Sequence, residues 1–138
     1  MDKQEEKKKM RQYSFEGDQL DYLVSHKALT EALTFLPTLT PNGFANSLDE
    51  VSSAGYIDPE HVSLCIKWID VNMVLSTKPI INVRQNSYTL KHWVEKDYGK
   101  YVTNGAFICA AHYMGADIQI GRATPNPMFN LFMRKRRK

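Results

Sequence analysis

Apolar residues between Ser87 and Gly115 recur at helical spacing in two runs, and a glycine-containing turn separates them. Ser87 is expected to cap the first run, because a serine hydroxyl accepts a hydrogen bond from a free amide of the first turn. Gly99 suits the left-handed residue that closes a helix. Thr103 is the corresponding N-cap signal of the second run, and Gly115 is the corresponding glycine at its end. The pattern therefore predicts a helical hairpin over residues 87–115.

One side of the first hairpin helix is predicted to face the core. Its members are Leu90, Trp93, Val94, Asp97 and Tyr98. Lys91, Glu95 and Lys96 fall outside this side, and we expect their charged groups to be solvated. The prediction makes Trp93 a core residue, whose truncation to alanine would cost about 3–5 kcal/mol if the ring were fully buried.

An apolar stripe at helical spacing predicts a first helix upstream of the hairpin. The stripe consists of Leu20, Leu23, Val24, Ala28, Leu29, Ala32, Leu33 and Leu36. Pro37 ends this helix, because proline cannot continue the backbone hydrogen bonds.

Cap signals predict two more helices before the hairpin. Ser47 and Glu50 have the spacing of a capping box, which indicates a short helix. Asp58 followed by Pro59 places an acceptor at the N-cap and proline at the first helical position. This third helix is predicted to run to about Leu75.

Alternation of apolar and polar residues predicts a small β element near the C-terminus. Ile118 and Ile120 alternate with polar positions, and residues 128–133 are the expected partner across a turn-like segment. Residues 80–83 are predicted to form a short extended segment. The fold class that follows is mainly α, with about five helices and a small C-terminal two-stranded β element.

Chain length and the distribution of charge predict one domain. The chain has 138 residues, which is close to the commonest size of a single domain. We expect the domain to span residues 14–133. A mobile charged N-terminal segment at residues 1–13 would precede it, and a basic tail at residues 134–138 would follow it.

The composition fits a globular protein without a membrane partner. Apolar residues make up 43% of the chain and charged residues 24%, which is ordinary globular usage. No apolar run approaches the length of a membrane span, and residues 1–11 lack the apolar core of a signal peptide. Cys65 and Cys109 fall in apolar helical patterns, where a reduced thiol packs as a small hydrophobe. We therefore expect a cytoplasmic location.

The formal net charge of +3 conceals an uneven distribution along the chain. Residues 13–77 carry nine acidic and two basic side chains, whereas residues 78–138 carry eleven basic and three acidic ones. A basic half attracts polyanions, so it favours nucleic acid as a partner. The alternative is that the two halves attract each other, either across the fold or between the subunits of an oligomer.

The sequence lacks the motifs of common catalytic and nucleotide-binding sites. It contains no GxxxxGKS/T phosphate loop, GxGxxG turn, GxSxG elbow or HExxH helix. Cys109 and His112 lie three positions apart on one predicted helix, but a structural zinc site needs two further nitrogen or sulfur ligands. A cysteine in an apolar face is usually unreactive. We therefore expect a non-enzymatic protein with no metal and no cofactor.

Nine lysine and arginine residues of the basic half, together with one histidine, are the candidate nucleic-acid-binding residues. They are Arg84, Lys91, His92, Lys96, Lys100, Arg134, Lys135, Arg136, Arg137 and Lys138. Lysine and arginine neutralise phosphates without reading sequence, so binding should weaken with salt and show little sequence preference.

A protein–protein module is the alternative function, in which the acidic half binds a host complex as an inhibitor or adaptor. An acidic face with exposed aromatic residues complements a basic partner as nucleic acid does. The candidate partner-binding residues are Asp18, Asp21, Tyr22, Tyr56 and Asp58.

The strings LKHWVEKDYGKYVTNGAFICAAHYMG and NPMFN resemble segments of small uncharacterised proteins of bacteriophages and other mobile elements. The resemblance covers about the last third of the chain. It implies a viral or mobile-element setting, with the host-cell cytoplasm as the location of a viral protein, and it implies no catalytic residues. Together with the charge distribution, it predicts a nucleic-acid-binding accessory or regulatory protein.

Overall fold

The structure is a computed structural model that describes residues 19–77, 85–121 and 124–134, with side chains from residue 21 onwards in the first range. Several features predicted from the sequence lie outside the described residues: the segments 1–13 and 80–83, Asp18, Arg84 and the basic residues 135–138.

Five helices form most of the described structure. They are α1 (Gln19–Phe35), α2 (Leu48–Ser53), α3 (Pro59–Asn72), α4 (Ser87–Tyr98) and α5 (Asn104–Tyr113). Together they account for more than half of the described residues, so the predicted mainly α class is confirmed.

Short antiparallel strands complete the described part of the fold. Their bounds are β1 (Leu39–Thr40), β2 (Gly43–Phe44), β3 (Met73–Leu75), β4 (Ile118–Gln119), β5 (Met128–Phe129) and β6 (Leu131–Met133). Strand β1 pairs with β2, β3 with β6, and β4 with β5. The β4–β5 pair is the predicted C-terminal element. The β3–β6 pair was not expected from the sequence.

The predicted extension of the third helix to Leu75 is wrong. Helix α3 ends at Asn72, and the chain continues as β3, in which Met73 faces Met133 and Leu75 faces Leu131. The backbone amide of Arg134 donates to the carbonyl oxygen of Asn72 at 2.7 Å, which continues the pairing to the end of the helix. Pairing with a distant strand therefore overrides an apolar pattern that also suits a helix.

Helix starts follow the local signals in the sequence, with one shift. Asp58 accepts from the amide of Glu60 at 2.9 Å, Ser47 accepts from Glu50 at 3.2 Å, and Thr103 accepts from Ala106 at 3.2 Å. The predicted N-cap at Ser87 is wrong. Asn86 is the N-cap of α4, because its side-chain oxygen accepts from the amide of Thr89 at 2.9 Å.

Helix α5 lies at the centre of the described fold. All residues from Asn104 to Ala111 are buried, and the helix contacts α1, α3 and α4. The ring of Phe107 lies 6.4 Å from that of Trp68 on α3 and 5.6 Å from that of Phe129 on β5. These three aromatic side chains join the helices to the C-terminal strands in one core.

Small residues form the buried face of α1. Ser25, Ala28 and Ala32 are buried, whereas Leu23 and Leu33 of the predicted apolar stripe are exposed. The spacing of the buried residues is helical, so the period was predicted correctly and the centre of the face was not. Short side chains allow α1 to lie close to α3 and α5.

Three residues predicted on the buried side of α4 are exposed: Trp93, Asp97 and Tyr98. Trp93 keeps 37% of its surface exposed, because Trp68 fills the core beside it with a ring separation of 6.5 Å. The indole nitrogen of Trp68 donates to the Asp97 carboxylate at 2.6 Å. Trp93 therefore lies at the rim of the core, and the full cost of core truncation does not apply to it.

The predicted solvation of Lys91 is also wrong. Only 6% of its surface is exposed, because the turn between α4 and α5 folds back over it. Its ammonium group lies 4.5 Å from the centre of the Tyr101 ring.

We predict that Gly105→Ala destabilises the protein by roughly 1–3 kcal/mol, although alanine favours a helix more than glycine does. A Cβ at this position would overlap the carbonyl oxygen of Thr40, which belongs to the backbone of β1 and has little freedom to move. Chemical denaturation of the wild type and the variant measures the difference. A gain in stability would show that β1 does not approach α5 this closely.

Candidate nucleic-acid interface

Three of the predicted binding residues lie on α4 and the turn that follows it. His92, Lys96 and Lys100 are exposed. His92 and Lys96 are one helical turn apart, so they lie on the same side of α4. Arg134 lies elsewhere, at the end of β6, where its guanidinium donates to the carbonyl oxygens of Asp70 and Met73 at 3.3 Å.

Exposed aromatic rings lie among these cations. Tyr101 has 65% of its surface exposed and Tyr88 has 52%, and Trp93 and Tyr98 are partly exposed as well. The rings of Tyr88 and His92 contact each other edge to face at 4.4 Å. The sequence assigned only basic residues of this region, and none of its tyrosine or tryptophan rings, to nucleic-acid binding. The signal it left aside is the alternation of aromatic and basic residues between positions 88 and 101.

Lys91 acts inside the fold and cannot contact a phosphate directly. Its ammonium group donates to a carboxylate oxygen of Glu95 at 3.2 Å and to the carbonyl oxygen of Val102 at 3.2 Å. The Tyr101 ring covers the same group, which adds a cation–π contact. Lys91 therefore fixes the turn after α4 to the helix that precedes it.

Glu95 links the buried ammonium group of Lys91 to the surface. One carboxylate oxygen accepts from Lys91 and, at 3.1 Å, from the amide of Val102. The other oxygen lies 2.9 Å from Nδ1 of His92. A single carboxylate thus orients a buried lysine, the backbone of the turn and an exposed imidazole. The positions of Tyr101 and His92 at the surface depend on it.

His61, which lies on α3, contacts the Tyr101 ring that covers Lys91. Its ring meets Tyr101 edge to face at 5.9 Å, and its Nε2 lies 3.7 Å from the Asp58 carboxylate. Burial lowers the pKa of His61, and this effect outweighs the attraction of the carboxylates of Asp58 and Glu95 for the charged form.

Both cysteine side chains are buried, and burial disfavours a reactive thiolate. Burial raises the pKa of the Cys109 thiol to about 12, and it raises the pKa of Cys65 as well. Both thiols are therefore protonated at neutral pH, and a protonated thiol is a poor nucleophile and a poor metal ligand. Among the described residues, no three histidine, cysteine, aspartate or glutamate side chains come together in a group that could hold a metal ion.

The candidate residues of the acidic half take part in different interactions. Asp21 forms an ion pair with Lys67 at 2.6 Å, and Asp58 caps α3. The ring of Tyr22 lies 4.2 Å from that of His26. Tyr56 is 98% exposed. The described structure therefore leaves Tyr56 as the most accessible of these residues.

Comparison of the chain with protein-family models, with curated proteins and with solved structures finds no significant match. Within the described residues, no helix has both the length and the apolar character that crossing a bilayer requires.

We predict that Glu95→Gln destabilises the protein by about 3–5 kcal/mol, because it leaves the buried charge of Lys91 without its counter-ion. The double variant Lys91→Met with Glu95→Gln should recover most of this loss, since a neutral pair of similar shape has no unpaired charge to bury. Denaturant titration of the two single variants and the double variant measures the coupling. Additive losses would contradict the pairing.

We predict that His61 makes stability fall as the pH is lowered. The folded-state pKa lies below the usual value of 6.5, so the unfolded chain binds the proton more tightly. Stability that is present above pH 6.5 is then lost as the pH falls toward the folded-state pKa. Denaturation at pH 7.5 and pH 5.5 should show a smaller pH effect in His61→Gln than in the wild type. An equal effect in both proteins would exclude His61 as its source.

Proposed function

We propose that the protein is a non-enzymatic nucleic-acid-binding accessory or regulatory protein that acts in a viral or mobile-element setting. We place its binding site on the α4 surface, defined by Tyr88, His92, Trp93, Lys96, Lys100 and Tyr101. The observation that carries the proposal is that exposed aromatic rings alternate with exposed cations along one helix and the turn after it.

The two kinds of side chain suit the two parts of a nucleotide. Each base stacked on an aromatic ring contributes about 1–3 kcal/mol, and stacking tolerates any base because every base has a π face. Lysine neutralises phosphates and releases counterions, which gives affinity that falls with salt. Stacking requires bases that are not already paired, so the α4 surface favours a single strand over a duplex.

The basic half of the sequence carries further positive charge. Residues 78–138 carry eleven basic and three acidic side chains, and RKRRK follows β6 directly. Such a field attracts a polyanion over a distance of about 10 Å at 0.1 M salt. We propose that residues 135–138 of the basic tail act as an electrostatic arm, while the α4 surface supplies the shorter-range contacts.

The acidic-half alternative has less support. Asp21 and Asp58 are engaged with Lys67 and with the start of α3, so their charges are partly used within the fold. Tyr56 remains as a contact for a protein partner. Affinity capture from the native host distinguishes the two functions, because a stoichiometric protein partner that survives nuclease treatment supports the alternative.

We predict that Lys96→Ala weakens binding to a short labelled single strand and lowers the slope of log K against log salt by about 0.7, the value for one phosphate contact. Lys27→Ala is the matched control, because it removes an exposed lysine from α1 on the acidic half and should leave the slope unchanged. Fluorescence anisotropy across a salt series measures both.

Tyr88→Leu tests the stacking contribution separately. It should lower the affinity about fivefold or more, which corresponds to about 1 kcal/mol, and leave the salt slope unchanged. If the wild-type protein binds no nucleic acid at low salt, the proposed function is wrong. If the two lysine variants behave alike, the α4 surface is not the binding site.

A further inference from the structure

A small cleft lies at the amino end of α4. It has a volume of about 230 Å³ and is lined by Asn86, Gln119, Gly121, Thr124, Asn126 and Met128. None of these lining residues carries a charge. We call it the amide cleft, because three of the six lining residues have carboxamide side chains.

The lining groups are suited to a ligand that carries both hydrogen-bond donors and acceptors. A carboxamide offers an acceptor oxygen and two donor hydrogens, and a threonine hydroxyl can do either. The edges of nucleobases present the same mixture, and asparagine and glutamine are the side chains that commonly pair with them. The described lining of the cleft can therefore form hydrogen bonds with the edge of a base.

Asn126 is held in one orientation by a buried neighbour. The side-chain nitrogen of Asn104, a residue only 6% exposed, donates to the side-chain oxygen of Asn126 at 2.6 Å and to the carbonyl oxygen of Asn42 at 3.1 Å. The backbone amide of Asn126 donates to the hydroxyl of Thr124 at 3.1 Å. The side-chain oxygens of Asn126 and Thr124 thus each accept one hydrogen bond. The NH₂ group of Asn126 and the hydroxyl proton of Thr124 are the parts that can donate to a ligand.

The amide cleft adjoins the α4 surface. Asn86, the N-cap of α4, lines the cleft, and Tyr88 stands two residues further on in the first turn of the same helix. A strand that stacks a base on Tyr88 therefore lies at the same end of α4 as the cleft. The volume lies below the roughly 300–1,000 Å³ of pockets for drug-sized molecules, so it suits one base of a longer chain.

We propose that the amide cleft receives one unpaired base of the bound strand and gives the protein a base preference. This inference rests on the proposed function, because the strand is brought to the cleft by the α4 surface. The preference arises from hydrogen bonds, since a base that cannot satisfy the amides leaves polar groups desolvated without partners.

The test uses Gln119→Ala in the full-length protein. Gln119 is exposed on β4, so its truncation should leave the fold intact. Affinities are measured by anisotropy for labelled oligomers of adenine, cytosine or thymine nucleotides of equal length at one salt concentration. The wild type should prefer one base by about fivefold or more. Gln119→Ala should reduce this ratio toward one and leave the salt slope unchanged.

Asn126→Ala is the second variant, and it should reduce the same ratio; its thermal midpoint checks that the loss of the Asn104 contact has not unfolded the protein. Lys96→Ala is the control, because it should weaken binding to all three oligomers by the same factor. Equal wild-type affinities for the three oligomers, or a preference that survives in both cleft variants, would overturn this inference and leave the proposed function standing. No binding to any oligomer at low salt would overturn both.

Discussion

Helix α5 buries every residue from Asn104 to Ala111, so other elements must cover it on all sides. Helices α1, α3 and α4 meet this requirement along its length. At its amino end, Gly105 allows the backbone of β1 to approach, and the Gly105 amide donates to the carbonyl oxygen of Pro41 at 2.9 Å. The network of Asn104, Asn42 and Asn126 forms at the same end. The amino end of α5 therefore contacts one residue of the amide cleft, while the rest of the helix lies in the apolar core.

The sequence predicted features whose cause is local. The caps at Ser47, Asp58 and Thr103 were found because a cap depends on residues within one turn of it. The error at Ser87 has the same origin, because Asn86 and Ser87 are both good capping residues and the sequence does not rank them. The left-handed glycine at Gly99, with φ of 66°, was also predictable from its position.

Features that depend on distant contacts were missed. The burial of Lys91 depends on the turn that places Tyr101 over it, and no periodicity encodes that contact. The exposure of Trp93 depends on Trp68, which lies on another helix and occupies the adjacent part of the core. At the candidate site, the distribution of charge along the sequence was the only signal, and it indicated the basic residues. The amide cleft draws its lining from three stretches of chain, so no single motif could have revealed it.

The pairing of β3 with β6 has a consequence for how the chain folds during synthesis. Met73 and Met133 face each other although they are sixty positions apart in the chain. Phe129, which lies between them in the sequence, is buried in the core. A ribosome synthesises the chain from its amino end, so the five described helices are made before β5 and β6. Until then the core lacks Phe129 and Leu131, and β3 has no partner strand. The entropic cost of closing this long loop slows the pairing of β3 with β6. Apolar surface of the helices stays exposed until the strands pair.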